Sequence, residues 1–89
     1  MLNEFMLRGV VNIYDKDLDI YMTIQLDTRG IEEFITVYIP FEVNKDFEKL
    51  GVSVGDTVQV SGHVRKAPQL IYNRLHVEKL LYVVKKEAI

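Results

Sequence analysis

The sequence predicts an all-β protein, a small closed barrel of five strands with one short helix between the third and fourth. Three observations predict it. Five segments alternate apolar and polar residues with the period of two that a half-buried strand requires. A short capped segment of helical character interrupts them after the third. The fourth segment, within Gly51-Val-Ser-Val-Gly-Asp-Thr-Val-Gln-Val-Ser-Gly-His-Val-Arg65, sets Gly62 on the same face as Val58, Val60 and Val64. A glycine on a valine-lined face marks a tight bend or the close approach of another strand, which a strongly curved barrel needs at its corners. Eighty-nine residues with 48% apolar content supply one compact core, so residues 1–89 are expected to form a single domain.

The first strand, about Glu4–Tyr14, places Leu7, Gly9, Val11 and Ile13 on one face and Arg8, Val10, Asn12 and Tyr14 on the other. Residues 15–19, with Asp15, Asp17 and Asp19, form a polar loop. In the second strand, about Leu18–Asp27, Leu18, Ile20, Met22, Ile24 and Leu26 point inward, with Tyr21, Thr23 and Gln25 outward. Thr28-Arg-Gly30 turns the chain. The third strand, about Glu33–Phe41, puts Ile35, Val37, Ile39 and Phe41 inward and Phe34, Thr36 and Tyr38 outward, and Pro40 ends it. Asn44 is placed to cap a short helix with Phe47 and Leu50 as its apolar residues and Gly51 as its stop. Gly55-Asp56 then launches the valine strand, whose other face carries Thr57, Gln59, Ser61, His63 and Arg65. Lys66-Ala-Pro-Gln69 is a loop. The last strand, about Leu70–Val84, alternates Tyr72, Arg74 and His76 against Leu75 and Val77. Three strands, a helix and two strands is the order of the OB fold, a Greek-key barrel that carries ligands on its second and third strands and flanking loops.

Composition narrows the function. The absence of cysteine excludes a disulfide framework and thiolate metal sites. No apolar run approaches the ~18 residues of a membrane span. No basic region followed by an apolar core opens the chain, so a soluble cytoplasmic protein is expected. The net charge of −2 opposes phosphate binding, but it is unevenly spread. Residues 1–56 hold five bases against eleven acids, whereas residues 57–89 hold six bases against two acids. A basic binding surface on an acidic body fits that asymmetry, as does an ordinary solvated surface.

Two stretches carry a family resemblance. Met1-Leu-Asn-Glu-Phe-Met-Leu-Arg-Gly-Val-Val11 and the segment from Phe41 to Arg65, with its Gly-Asp-x-Val-x-Val-x-Gly-x-Val-Arg pattern, resemble the OB domain of the bacterial single-stranded DNA-binding protein (SSB) family. The resemblance implies sequence-tolerant single-strand binding in replication, recombination or repair, with oligomerisation through the first strand. It departs in two respects. The family's acid-tipped tail is missing, as are its tryptophan stacking platforms, so tail-mediated recruitment is not carried over. A tailless chain of this size also resembles the small primosomal accessory protein of bacteria, and mobile-element or phage forms of SSB.

Single-strand binders need aromatic faces for stacking and cations along the backbone path. Tyr21, Phe34 and Tyr38 occupy the outward face of the second and third strands, while Arg65, Lys66, Tyr72 and Arg74 flank the last loop. These seven residues are the candidate nucleic-acid site. The bland readings are cross-strand aromatic pairing, a protein interface, and a solvated hairpin tip. Asp15, Asp17 and Asp19 would repel phosphate on the same path, and they lack the glycine and terminal glutamate of a calcium loop. His63 and His76 on neighbouring outward strands have no nucleophile or metal-ligand spacing beside them, so polar sheet surface is the reading for both and catalysis is rejected. No cofactor or metal is expected. Single-stranded DNA is the leading partner, RNA is equally served by the same residues, and a module for assembling replication or repair proteins is the alternative. The unalternated run Leu80-Leu-Tyr-Val-Val84, with Val10, predicts a homo-oligomer unless a bulge returns the run to the barrel.

Overall fold

The computed structural model describes residues 3–26, 33–66 and 73–87. Strands β1 (Glu4–Asp15), β2 (Tyr21–Leu26) and β3 (Glu33–Tyr38) are followed by helix α1 (Phe41–Lys49), β4 (Thr57–Lys66) and β5 (Asn73–Val84). They close a barrel in the order β1-β2-β3-β5-β4, with β4 paired back onto β1. Neighbours are antiparallel except β3 and β5, which meet in parallel at Tyr38 and His76. This is the OB architecture that the alternating segments predict.

The core consists of the inward residues of those strands. Val11, Met22, Ile24, Val37, Ile39, Val58, Val60 and Val77 are buried, and Phe47 of the helix is buried among them. Gly9 and Gly62 let strands cross closely. A Cβ on Gly62 would lie 1.8 Å from the His76 carbonyl oxygen, and one on Gly9 2.1 Å from that of Gln25. Both obstacles are backbone, which cannot yield as a side chain can, so only glycine fits at either crossing.

Three bulges adjust the alternation. The β1–β2 register jumps between Val11 and Ile13, leaving Asn12 as the extra residue. Beyond it the phase of β1 reverses, contrary to the simple alternation. Ile13 is exposed, and Tyr14 turns inward against the core, its ring 6.3 Å from that of Phe47. In β5, the register against β4 makes Glu78 and Leu81 the extra residues. Leu80 and Val83 thereby pack on the core while Leu81 and Val84 remain exposed, so the apolar run is divided between the two sides.

The ends of three elements differ from the sequence expectation. β2 begins at Tyr21, and Leu18 lies exposed in the preceding bend. β3 stops at Tyr38, so Phe41 is not a strand residue; it opens the helix and is exposed. Pro40, not Asn44, is the N-cap: its backbone is still extended while its carbonyl accepts the first helical hydrogen bond, from the Asn44 amide at 2.9 Å. Asn44 is instead buried one turn in, accepting a hydrogen bond from the Tyr14 hydroxyl and donating to Glu48 at 3.3 Å. Burial, followed by the Glu48 charge, pushes the Tyr14 hydroxyl up to about 12. Gly51, at φ +64°, ends the helix as predicted. Its amide bonds to the Glu48 carbonyl at 3.0 Å and that of Val52 to Phe47 at 3.0 Å, the paired bonds of a Schellman stop. Leu50 is exposed at that stop, and the apolar face of α1 consists of the buried Phe47 with Val43 packed against the core.

Candidate nucleic-acid interface

Tyr21 and Tyr38 face each other across the β2–β3 ladder, both outward and half-buried. Their ring centroids are 5.7 Å apart in an edge-to-face arrangement. The same ladder pairs Thr23 with Thr36, whose hydroxyl oxygens lie 3.3 Å apart, and Gln25 with Phe34. Phe34 is half exposed at the far end of that row, about 13 Å along β3 from Tyr38 at ~3.3 Å per residue. Of the three aromatics predicted on the β2–β3 face, two therefore adjoin and the third stands apart.

Arg74 crosses from β5 to this face. Its guanidinium lies 5.0 Å from the Tyr38 ring centroid and 5.7 Å from that of Tyr21, within cation–π range of both. It also sits 3.7 Å from the Asp19 carboxylate, which accepts a 3.4 Å hydrogen bond from the Tyr21 hydroxyl. One acid of the polar loop therefore does reach the predicted phosphate path. Asp15 is engaged locally, accepting from the Asp17 amide at 3.0 Å. Among the described residues, no three of His, Asp or Glu gather as a metal-binding group.

Arg65 is exposed and directly opposite Arg74 on the β4–β5 ladder. Like charges placed directly across a ladder are destabilising, so this pair is a cost to the fold unless an anion lies over it. Lys66 ends β4 in register with Asn73, and Tyr72 lies outside the described residues. Next to the arginines, and on the same outward face, His63 pairs with His76. The His76 ring lies 4.8 Å from that of Tyr38 and 6.4 Å from that of His63. Burial, then the charges of Arg65, Arg74 and His63, hold His76 below its ordinary value of 6.5. The Glu78 bulge brings a carboxylate 2.5 Å from His63 Nδ1.

Sequence reasoning left the histidines out of the site. The signal that could have included them was phase, since His76 is two residues from Arg74 and His63 two from Arg65. Missing from the sequence was the parallel contact of β3 with β5 that brings Tyr38 to them.

The N-terminal domain of PriB protein from Thermoanaerobacter tencongensis, solved as a dimeric structure, matches with a TM-score of 0.74 at 16% identity, over 97% of this chain and 100% of that one. The mitochondrial single-stranded DNA-binding protein Rim1 from S. cerevisiae matches in one crystal form with a TM-score of 0.71 at 15% identity, over 94% of this chain and 95% of that one. In a second form the TM-score is 0.64 at 14% identity, with 97% and 96% covered. No family model and no curated protein matches the sequence. The fold is an OB barrel similar to those of these two proteins.

Proposed function

We propose that this chain binds single-stranded DNA with little sequence preference, as a homo-oligomer, on strands of the kind exposed in replication, recombination and repair. One observation carries the reading. Arg74 lies over both Tyr21 and Tyr38 while facing Arg65, so stacking rings and a crowded pair of cations form one outward surface. Bases stack on the rings whatever their identity, because every base has a π face. Arginine can pair with phosphate and stack at once, which lysine cannot. Phe34, on the same face, offers a further base contact, and Lys66 and Tyr72 belong to the proposed path by their place in the sequence. The overall charge of −2 does not oppose this, because charges beyond about 10 Å are largely screened at 0.1 M salt. One structural neighbour, Rim1, is a mitochondrial single-stranded DNA-binding protein, which supports the same reading.

Titration of labelled oligo(dT) and oligo(U) at two salt concentrations tests it. Tyr38→Ala should weaken binding by about 1–3 kcal/mol and leave the salt slope nearly unchanged, because stacking releases no counterions. Arg74→Ala should flatten the slope of log K against log salt by about 0.7, the single-strand value for one phosphate. Binding of oligo(dT) that is indifferent to Tyr38→Ala would move the platform elsewhere. No wild-type binding even at ~20 mM salt, where counterion release is strongest, would leave a protein-assembly module as the better reading.

A further inference from the structure

The two histidines are the titratable groups that the proposed interface does not yet use. Four rings run without a gap across four strands: Tyr21 on β2, Tyr38 on β3, His76 on β5 and His63 on β4. Each neighbouring pair is also a register pair of the sheet, so the order is fixed by the backbone and not by a chance rotamer. Resting on the single-strand reading above, we propose that His76 and His63 form a phosphate subsite that continues the track from Tyr38 onto β5 and β4 and strengthens on acidification.

Charge supports the assignment. Arg65, Arg74, His63 and His76 form a two-by-two block on the outward face of β4 and β5. The groups facing it from the surrounding elements are Tyr38 from β3, Tyr21 from β2, Asp19 from the β1–β2 loop, Glu4 from β1, in register with His63, and Glu78 from the β5 bulge. Asp19 lies against Arg74, Glu78 against His63 and Glu4 opposite His63, so the acids gather at Arg74 and His63 and none is described in contact with Arg65 or His76. A phosphodiester laid over the block would meet that positive charge.

The direction of the pH effect follows from the crowding. Burial and the charges of Arg65, Arg74 and His63 disfavour the imidazolium of His76 in the free protein. A phosphate over the block opposes those cations, so it raises the proton affinity of the imidazole. By linkage, a ligand that promotes proton uptake binds more tightly as protons become more abundant. Affinity therefore rises as pH falls through the range in which histidine changes charge, roughly pH 8 to 5.

Oligo(dT), whose bases take up no proton in that range, is the probe. Its affinity and salt slope should be measured at pH 8.0 and 5.5 for wild type, His76→Gln, His63→Gln and the double variant, with thermal melts confirming folding. The wild type should bind about tenfold tighter at pH 5.5, the equivalent of one unit of pKa change in one group. Its salt slope should steepen by about 0.7 for each imidazolium that meets a phosphate. The double variant should still bind at pH 8.0 and show neither gain. Independently of any variant, NMR titration of the wild type should show the His76 pKa rising when oligo(dT) is added, which a merely structural histidine would not do. Binding at both pH values with the same affinity and slope, or a gain that survives in the double variant, overturns this proposal alone. No binding at either pH overturns the single-strand reading with it.

Discussion

Asp19 and Arg74 show how single residues set the readiness of the proposed interface. The guanidinium that lies over both tyrosines is already faced by a carboxylate 3.7 Å away, on a side chain that is half exposed. An incoming phosphate must compete with that carboxylate. Ion pairs this open to solvent are weak, so competition should trim affinity and not abolish it. Asp19→Asn is accordingly expected to tighten oligo(dT) binding about two- to fivefold, matching the ~0.4–1 kcal/mol of an exposed pair. Fluorescence titration would show it, and an unchanged or weaker affinity would mean that Asp19 does not restrain Arg74. Residue identity announced the stacking and charged groups, but not this contact. The acid of the polar loop was legible; its place beside Arg74 depends on a loop meeting a strand 55 positions later in the chain.

Among the elements, the turn that launches β4 has the clearest energetic signature. Gly55 adopts φ +97°, and Asp56 is buried at 1% exposure. The Asp56 carboxylate accepts from Lys85 Nζ at 2.6 Å, the Lys86 amide at 2.8 Å and the Ser53 amide at 2.9 Å. Burial alone would raise its pKa, but these bonds outweigh burial and hold it at about 2, against an ordinary 3.8. A lowered carboxylate pKa contributes stability that is full above the unfolded value and is lost as pH falls through the folded one. That contribution is about 2 kcal/mol. Melting the wild type and Asp56→Asn from pH 7 to pH 2 should show the wild-type advantage constant down to about pH 4 and shrinking below it. A difference unchanged at pH 2 would remove Asp56 ionisation as the cause. The Gly-Asp pair marked this turn in the sequence, whereas the clamp closing on it from residues 85 and 86 did not show.

The whole molecule uses opposite ends of the β4–β5 ladder differently. At one end stand the arginine and histidine pairs. At the other, Val10, Thr57 and Val84 form one outward row across β1, β4 and β5. Val10 is 39% exposed, Val84 55%, Leu81 39% and Met6 63%, and Arg8 covers the Tyr82 ring at 5.8 Å. Exposed apolar residues that cluster across three strands are more than isolated surface side chains, and they favour self-association. Light scattering at high micromolar concentration should give at least twice the 10.4 kDa of one chain, and Val10→Glu should return it toward one. A single 10.4 kDa species throughout would exclude the oligomer.

The sequence by itself determined the phase of β2, β3 and β4, the helix stop at Gly51 and the close crossing at Gly62. These are local matters: alternation records which side of a strand leaves water, and a glycine records where backbone must pass close. It also placed Tyr21, Phe34, Tyr38, Arg65 and Arg74, the residues of the proposed interface, on the outward positions where the ladders have them. Tertiary structure alone decided what those residues stand beside. Closing the barrel introduced the bulges at Asn12, Glu78 and Leu81, which turned Tyr14 inward and aimed Glu78 at His63. Closure also brought β3 beside β5, so that Tyr38 touches His76, and it seated Asp19 on Arg74. Alternation within a strand carries no label for the strand that will lie next to it. That neighbour is chosen only when all five strands bury their apolar faces together.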